Sequence, residues 1–233
     1  MYSGAGRARV EETGEIVETT AMSAFRPKYP FTKYIFVDSD PRCIEALSGR
    51  RAALPVAHDV TLIARDVGEA TLEIISAMPA FGPGNGLLSF CFIDPFSAAL
   101  NFEVIRALGS RYKMDFLILL MLGRDVRTNF RRYFEDPADT RIGSLINDPD
   151  WRDEWRAKGL RRRDLVRYLL WKFDAAMTRL GYAESRPDDA HPIRVMGKKV
   201  FLYSLVFYSK NPLGQQFWQA TRKGTDPQFS LEL

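Results

Sequence analysis

Short apolar runs alternate with helix-like segments through the first half of this chain, and that alternation dictates a largely parallel sheet, because parallel strands need a crossover between them. Tyr34-Ile35-Phe36-Val37 is the first such run, closed by Asp38-Ser39-Asp40-Pro41, in which Asp40 can cap a helix and Pro41 can fill its first turn. A helix over 42–51 follows, then a strand over 60–63 ending near Asp66, and a helix over 69–78 before Pro79. Residues 82–86 read as a loop. The run 87–93 is apolar on both faces, the mark of a central parallel strand, and it leads through a helix over 98–111 to a second such strand at 116–122. The pattern predicts a doubly wound α/β sheet.

The alternation then breaks. Residues 124–163 are polar and irregular, punctuated by Pro137, Gly143, Pro149 and Gly159, and read as an insertion. Leu165, Leu169, Phe173, Met177 and Leu180 recur at helical spacing, which predicts an amphipathic helix over 163–180 lying on the sheet and stopping at Gly181. Two runs, 193–196 and 200–208, flank a turn at Gly197-Lys198 and predict an antiparallel hairpin, followed by a last helix over 212–222.

A length of 233 residues with 46% hydrophobic side chains is enough for one domain spanning 1–233 with a real core. The net charge of +4 permits a polyanionic partner without requiring one. Two cysteines, Cys43 and Cys91, both beside apolar residues, argue against a disulfide framework, and with only two histidines a protein-bound catalytic metal is not expected. No apolar segment approaches a bilayer-spanning length and the start lacks a secretory signal, so the expected compartment is the cytoplasm, with no membrane partner.

Chemistry is expected where strands end, since ligands of open α/β sheets bind beyond the strands' carboxyl ends. Three acids stand there: Asp38, Asp66 and Asp94, the last in Asp94-Pro95-Phe96-Ser97. The alternative for Asp94 is a helix cap with Pro95 in the first turn. Ahead of them lies a glycine turn, Ser3-Gly4-Ala5-Gly6, of the kind whose amides hold anionic groups; only two residues precede it, so the strand that normally leads into such a turn reads as truncated. Dinucleotide binding wants a small residue three positions after the second glycine, where this chain has Arg9, which places a nicotinamide-dependent oxidoreductase last among the alternatives.

This order of glycine turn and strand-end acids resembles the class I S-adenosylmethionine-dependent methyltransferases. The resemblance implies a Rossmann-like sheet with a C-terminal antiparallel hairpin, Ser3, Gly4, Ala5 and Gly6 around the methionine moiety of S-adenosyl-L-methionine, Asp38 on the ribose hydroxyls and Asp66 at the adenine. Asp94, Pro95 and Phe96 would then be the catalytic or target-binding group. A closer resemblance rests on Ser3-Gly4-Ala5-Gly6, Tyr34 to Asp38, Phe92-Ile93-Asp94-Pro95-Phe96, and Tyr203 to Gly214 followed by Phe217-Trp218. This set looks like the three-Cys-motif partner protein family, which is similar to methyltransferases in fold and is named for genomic association with proteins bearing a three-cysteine motif.

The arginines of the insertion, interleaved with Tyr133, Phe134, Trp151 and Trp155, could grip phosphates while the rings stack on unpaired bases, which would suit tRNA or single-stranded nucleic acid. The favoured alternative is a solvated insertion whose tryptophans seal it onto the core, its acids offsetting its arginines. Two functions stay open: a methyltransferase, and a methyltransferase-like subunit without chemistry of its own that binds another enzyme, a three-Cys-motif protein being the partner the resemblance implies.

Overall fold

The computed structural model describes residues 1–11, 13–55, 58–82, 86–185, 189–194 and 200–224, the side chains of 222–224 excepted. It is mixed α/β, and its contacts fall into two compact units, residues 1–87 and 88–232.

The first unit begins with a hairpin that the pattern reading does not contain: β1 (Arg7–Arg9) pairs antiparallel with β2 (Ile16–Glu18). Its strands are three residues each and almost entirely exposed, so they carry no hydrophobic alternation to read. A short helix, α1 (Thr20–Ser23), leads to β3 (Tyr34–Asp38), α2 (Pro41–Ala52), β4 (Val60–Ala64) and α3 (Thr71–Ala77). Strands β3 and β4 are parallel, in register from Tyr34 opposite Val60 to Asp38 opposite Ala64. The expected cap is present: the Asp40 carboxylate accepts the Arg42 N–H at 2.9 Å and Pro41 holds the first helical position. The core of this unit is Met22, Phe25, Tyr34, Phe36 and Leu47, with Phe25 packed 4.7 Å from Tyr34 and 5.6 Å from Phe36 between ring centres.

The second unit holds β5 (Ser89–Ile93), α4 (Phe102–Arg111), β6 (Met114–Leu120), a π-helical turn (Leu122–Val126), α5 (Phe130–Glu135), α6 (Arg141–Ile146), α7 (Trp151–Ala157), a 3-10 turn (Arg162–Asp164), α8 (Leu165–Arg179), β7 (His191–Arg194), β8 (Phe201–Tyr208) and α9 (Pro212–Gly224). Its four strands are ordered β5-β6-β8-β7, with β5 and β6 parallel and the other pairs antiparallel. The C-terminal hairpin is therefore present, while its expected turn at Gly197-Lys198 lies outside the described residues, as do Pro83, Gly84 and Asn85 of the loop at 82–86.

Two expectations are corrected here. Strand β5 is an edge strand among the described residues, with Leu88 before it 85% exposed and Phe90 46% exposed, where a central strand was expected. Apolar side chains on both faces show that a strand tolerates burial; which edge is paired depends on a neighbour, and the pattern does not encode that. The region 124–163 is helical rather than irregular. Helices of six or seven residues, cut by prolines and glycines, are too short for periodicity to emerge.

Helix α8 follows its predicted stripe, with Leu165, Leu169, Phe173 and Met177 buried and Phe173 set 5.9 Å from the Tyr208 ring of β8. The ending Lys210-Asn211-Pro212-Leu213-Gly214, part of the family resemblance, is a structural clamp. The Lys210 ammonium donates to the Gly109 carbonyl at 2.7 Å and covers the Tyr182 ring, and burial lowers its pKa. The Asn211 side chain accepts the Leu213 N–H at 3.0 Å as α9 begins, with Pro212 as its first residue. A Cβ on Gly214 would fall on the side chain of buried Ser209, so glycine is required for this close approach.

Candidate functional site

In the first unit, the glycine turn and the start of α2 are both fastened to one carboxylate, that of Asp38. The chain enters beside β3, where the Ser3 N–H donates to the Val37 carbonyl at 3.0 Å. It then turns so that the Gly4 N–H donates to Asp38 Oδ2 at 2.8 Å. The other oxygen, Asp38 Oδ1, accepts the Asp40 N–H at 3.0 Å, so the strand-end acid closes both the glycine turn and the start of α2. Asp38 is only 6% exposed, and these two amide bonds are what make its burial tolerable.

The two glycines serve different purposes. Gly4 has a φ of +60° with nothing within 4 Å of where a Cβ would stand, so it supplies backbone freedom beside open space. Gly6, at a φ of +82°, is buried, and a Cβ there would meet Met22 Cγ at 2.7 Å and Leu47 Cδ1 at 2.9 Å. It lets the turn press onto the core. Between them, the Ala5 carbonyl accepts from the Arg50 guanidinium of α2.

Asp66 follows β4, is exposed, and its Oδ1 accepts the Gly68 N–H at 2.8 Å. Its charge, after burial, raises the Tyr2 hydroxyl to about 12, which places Tyr2 beside it. Tyr2 itself sits at a φ of +58°, a conformation non-glycine residues rarely adopt. The glycine turn, Asp38 and Asp66 therefore come together. Two hydroxyls beside this turn, Ser3 Oγ and Thr19 Oγ1, are buried without any hydrogen-bond partner, and the Thr19 N–H donates to the Gly6 carbonyl at 2.9 Å. Buried hydroxyls left unpaired are costly, and they are what a polar ligand at the turn would satisfy. Tyr2 and Thr19 carried no sequence signal, since neither belongs to a motif.

Asp94, Pro95 and Phe96 belong to the second unit. Asp94 leaves the end of β5, but α4 does not begin until Phe102 and is capped by Asn101, whose side chain accepts the Glu103 N–H at 3.0 Å. The helix-cap reading of Asp94 is thereby corrected: the cap position was taken by a residue seven positions later. The Asp94 carboxyl is half-buried, has no hydrogen bond or ion pair to another described residue, and burial raises its pKa. Pro95 is buried, whereas Phe96 is 81% exposed, which excludes core packing as its role.

Two further residues shape this place. Register pairs Ile93 with Ile118 and Ile118 with Val206, so the row after it aligns Asp94 with Leu119 and Leu205. Tyr203 lies two residues along β8 and shares that face of the sheet. Consistent with this, the Tyr203 hydroxyl is raised first by burial and then by the Asp94 charge. Asp125 holds the loop itself. Its Oδ2 accepts the Ala98 N–H and the Tyr133 hydroxyl, each at 2.7 Å, and its Oδ1 accepts the Asn129 side-chain amide at 2.7 Å. Burial and this bond raise the Tyr133 hydroxyl far above its ordinary value. The signal for this hub was the helical spacing of Asp125, Asn129 and Tyr133, hidden in a stretch read as irregular. Within the same turn a Cβ on Gly123 would fall on the Phe201 and Leu202 carbonyls, so glycine lets β8 pass.

The rings proposed for base stacking in the insertion are spent on its own core. Tyr133, Phe134, Trp151 and Trp155 are all at most 8% exposed, and Phe134 meets Trp151 edge-on at 4.5 Å. Arg152 is consumed as well, donating to the carbonyls of Tyr133, Asp136 and Asp139 at 2.5 to 2.9 Å. The sealed-insertion alternative describes these side chains. Among the described residues no cluster of three or more metal-ligating side chains occurs, and no helix is long and apolar enough to cross a membrane.

The sequence matches no known family model and no curated protein.

Proposed function

We propose that this chain is an S-adenosylmethionine-dependent methyltransferase-like protein of the three-Cys-motif partner type, working in the cytoplasm. The observation that carries the reading is the bond from the Gly4 N–H to the Asp38 carboxylate, which joins the glycine turn to the acid ending β3. The parallel β3-β4 pair with Asp66 beyond it and the mixed sheet closed by a C-terminal hairpin support the same fold.

The residues present suit the cofactor. Open space at Gly4, the unpaired hydroxyls of Ser3 and Thr19, and exposed Asp66 would hold its amino-acid and ribosyl groups, on a turn that Asp38 fastens. When bound, it supplies a methyl group whose bond to sulfur breaks as an acceptor's lone pair takes the carbon. In the second unit, Asp94, its carboxyl raised by burial, would take an acceptor's proton, and exposed Phe96 would offer a face to a planar acceptor. Alignment supplies most of the rate, since holding reactants at attack distance is worth roughly 7–11 kcal/mol.

Isothermal titration calorimetry with S-adenosylhomocysteine tests this. Saturable binding that Asp66→Asn weakens is the expected result, and absence of saturable heat overturns the reading. A second reading, a non-catalytic subunit that docks on another enzyme, is favoured by Leu213 and Phe217, one turn apart on α9 and 68% and 74% exposed. The two separate at Asp94→Ala, which abolishes methyl transfer under the first and leaves function intact under the second.

A further inference from the structure

The helical insertion of the second unit carries exposed positive charge in two runs. Arg124, Arg127 and Arg131 recur at helical spacing through the π-helical turn and α5, and Arg161, Arg163 and Arg167 follow one another into α8; all six are exposed. The runs are tied together by Arg162, whose guanidinium donates to the Arg127 carbonyl at 2.6 Å and lies 5.6 Å from the centre of the Phe130 ring.

Most of the nearby carboxylates are committed to other neighbours. Asp125 faces inward to Ala98, Asn129 and Tyr133; Asp139 is held by Arg141 and Arg132; Asp164 accepts the Arg161 backbone N–H at 2.9 Å and lies 3.9 Å from Arg163, the one ion pair that any of the six makes among the described residues. The exposed arginines outnumber the acids among them, Glu135 one turn from Arg131 on α5 and Asp164 beside Arg163, and a polyanion relieves the excess positive charge.

Two exposed rings accompany the charge. Trp171 is one helical turn beyond Arg167 on α8 and 45% exposed, with the Lys158 ammonium 4.5 Å from its ring centre. Phe96 is on the loop that Asp125 pins, through the Ala98 N–H, to the turn carrying Arg124 and Arg127. Basic side chains interleaved with exposed aromatics suit a single-stranded nucleic acid, whose phosphates take the guanidinium groups while unpaired bases stack on the rings. We infer that this surface binds single-stranded nucleic acid through Arg124, Arg127, Arg131, Arg161, Arg163 and Arg167, with Phe96 and Trp171 as stacking platforms. The inference stands on the second unit alone and holds whether or not the first unit takes an adenosyl ligand.

Fluorescence anisotropy with a labelled oligothymidine of about 20 nucleotides, over a salt series, provides the test. The triple variant Arg124→Ser, Arg131→Ser, Arg167→Ser is expected to lose about tenfold or more in affinity, and its log–log salt slope to shrink by about 2, at roughly 0.7 per lost phosphate contact. Phe96→Ala and Trp171→Ala are expected to weaken binding several-fold with the slope unchanged. A matched control, Arg111→Ser, Lys113→Ser, Arg179→Ser, removes the same charge from exposed positions elsewhere on this unit and should bind as the parent does. The inference is overturned by equal effects of the two triples, by tighter binding of the corresponding duplex, or by binding to phosphatidylserine vesicles with none to the oligonucleotide.

Discussion

The acids that end β3 and β5 look alike in sequence, each closing an apolar strand just before a turn, yet their surroundings are opposite. Asp38 is buried and spends both oxygens on backbone amides; Asp94 is half-buried and accepts no hydrogen bond from another described residue. A carboxylate that accepts amide hydrogens holds the backbone in place, and one partly out of water without hydrogen bonds leaves its oxygens open to take up a proton. The first unit's acid is a fastener, and the second unit's is left open for the proton-accepting role proposed for it.

Substitution separates the two roles most sharply. Asp38→Ala orphans the Gly4 and Asp40 amides, and at about 1.5 kcal/mol or more for each bond to a charged group the expected loss is about 3 kcal/mol, read as a shift in the denaturation midpoint. Asp94→Asn removes no bond and should leave stability at neutral pH intact or improved. A stability loss at Asp94 equal to that at Asp38 would erase the distinction.

Asp174 on α8 is intermediate between them and sharpens the comparison. It is 7% exposed, accepts the Ser185 N–H at 2.8 Å and the Tyr208 hydroxyl, and its pKa is pushed up to about 6, chiefly by burial. A carboxyl whose folded value exceeds its unfolded one favours the native state most when protonated. Its contribution is therefore complete below about pH 4 and is lost as pH rises through about 6. Asp174→Asn, which keeps an acceptor for Ser185, should be more stable than the parent at pH 7 by up to about 3 kcal/mol, the gap closing toward pH 4. Equal stability of the two proteins at pH 7 would mean that the bonds to Ser185 and Tyr208 offset the burial.

How much of this was legible follows the length scale of each signal. The stripe of α8, the Asp40 cap and the C-terminal hairpin are written in long periodic runs or in strong local chemistry, and the structure has them. The exposed hairpin of β1 and β2 and the short helices α5 to α7 are held by tertiary contacts such as Arg152 on three carbonyls, which no local pattern announces. The strand-end acids were visible as candidates, but what each one touches was not. Asp38 meets Gly4 across 34 residues and Asp125 meets Ala98 across 27, and contacts of that range become readable only once the chain is folded.

The account turns on the glycine turn that Asp38 fastens being a ligand site. A two-dimensional amide NMR titration with S-adenosylhomocysteine reports on that turn directly, because the Gly4 and Asp40 amides both donate to the Asp38 carboxylate. Saturable shifts of the Gly4, Gly6, Asp40 and Thr19 amides at a common midpoint are predicted. Saturation with those four signals unmoved, or an unchanged spectrum at millimolar ligand, would contradict it.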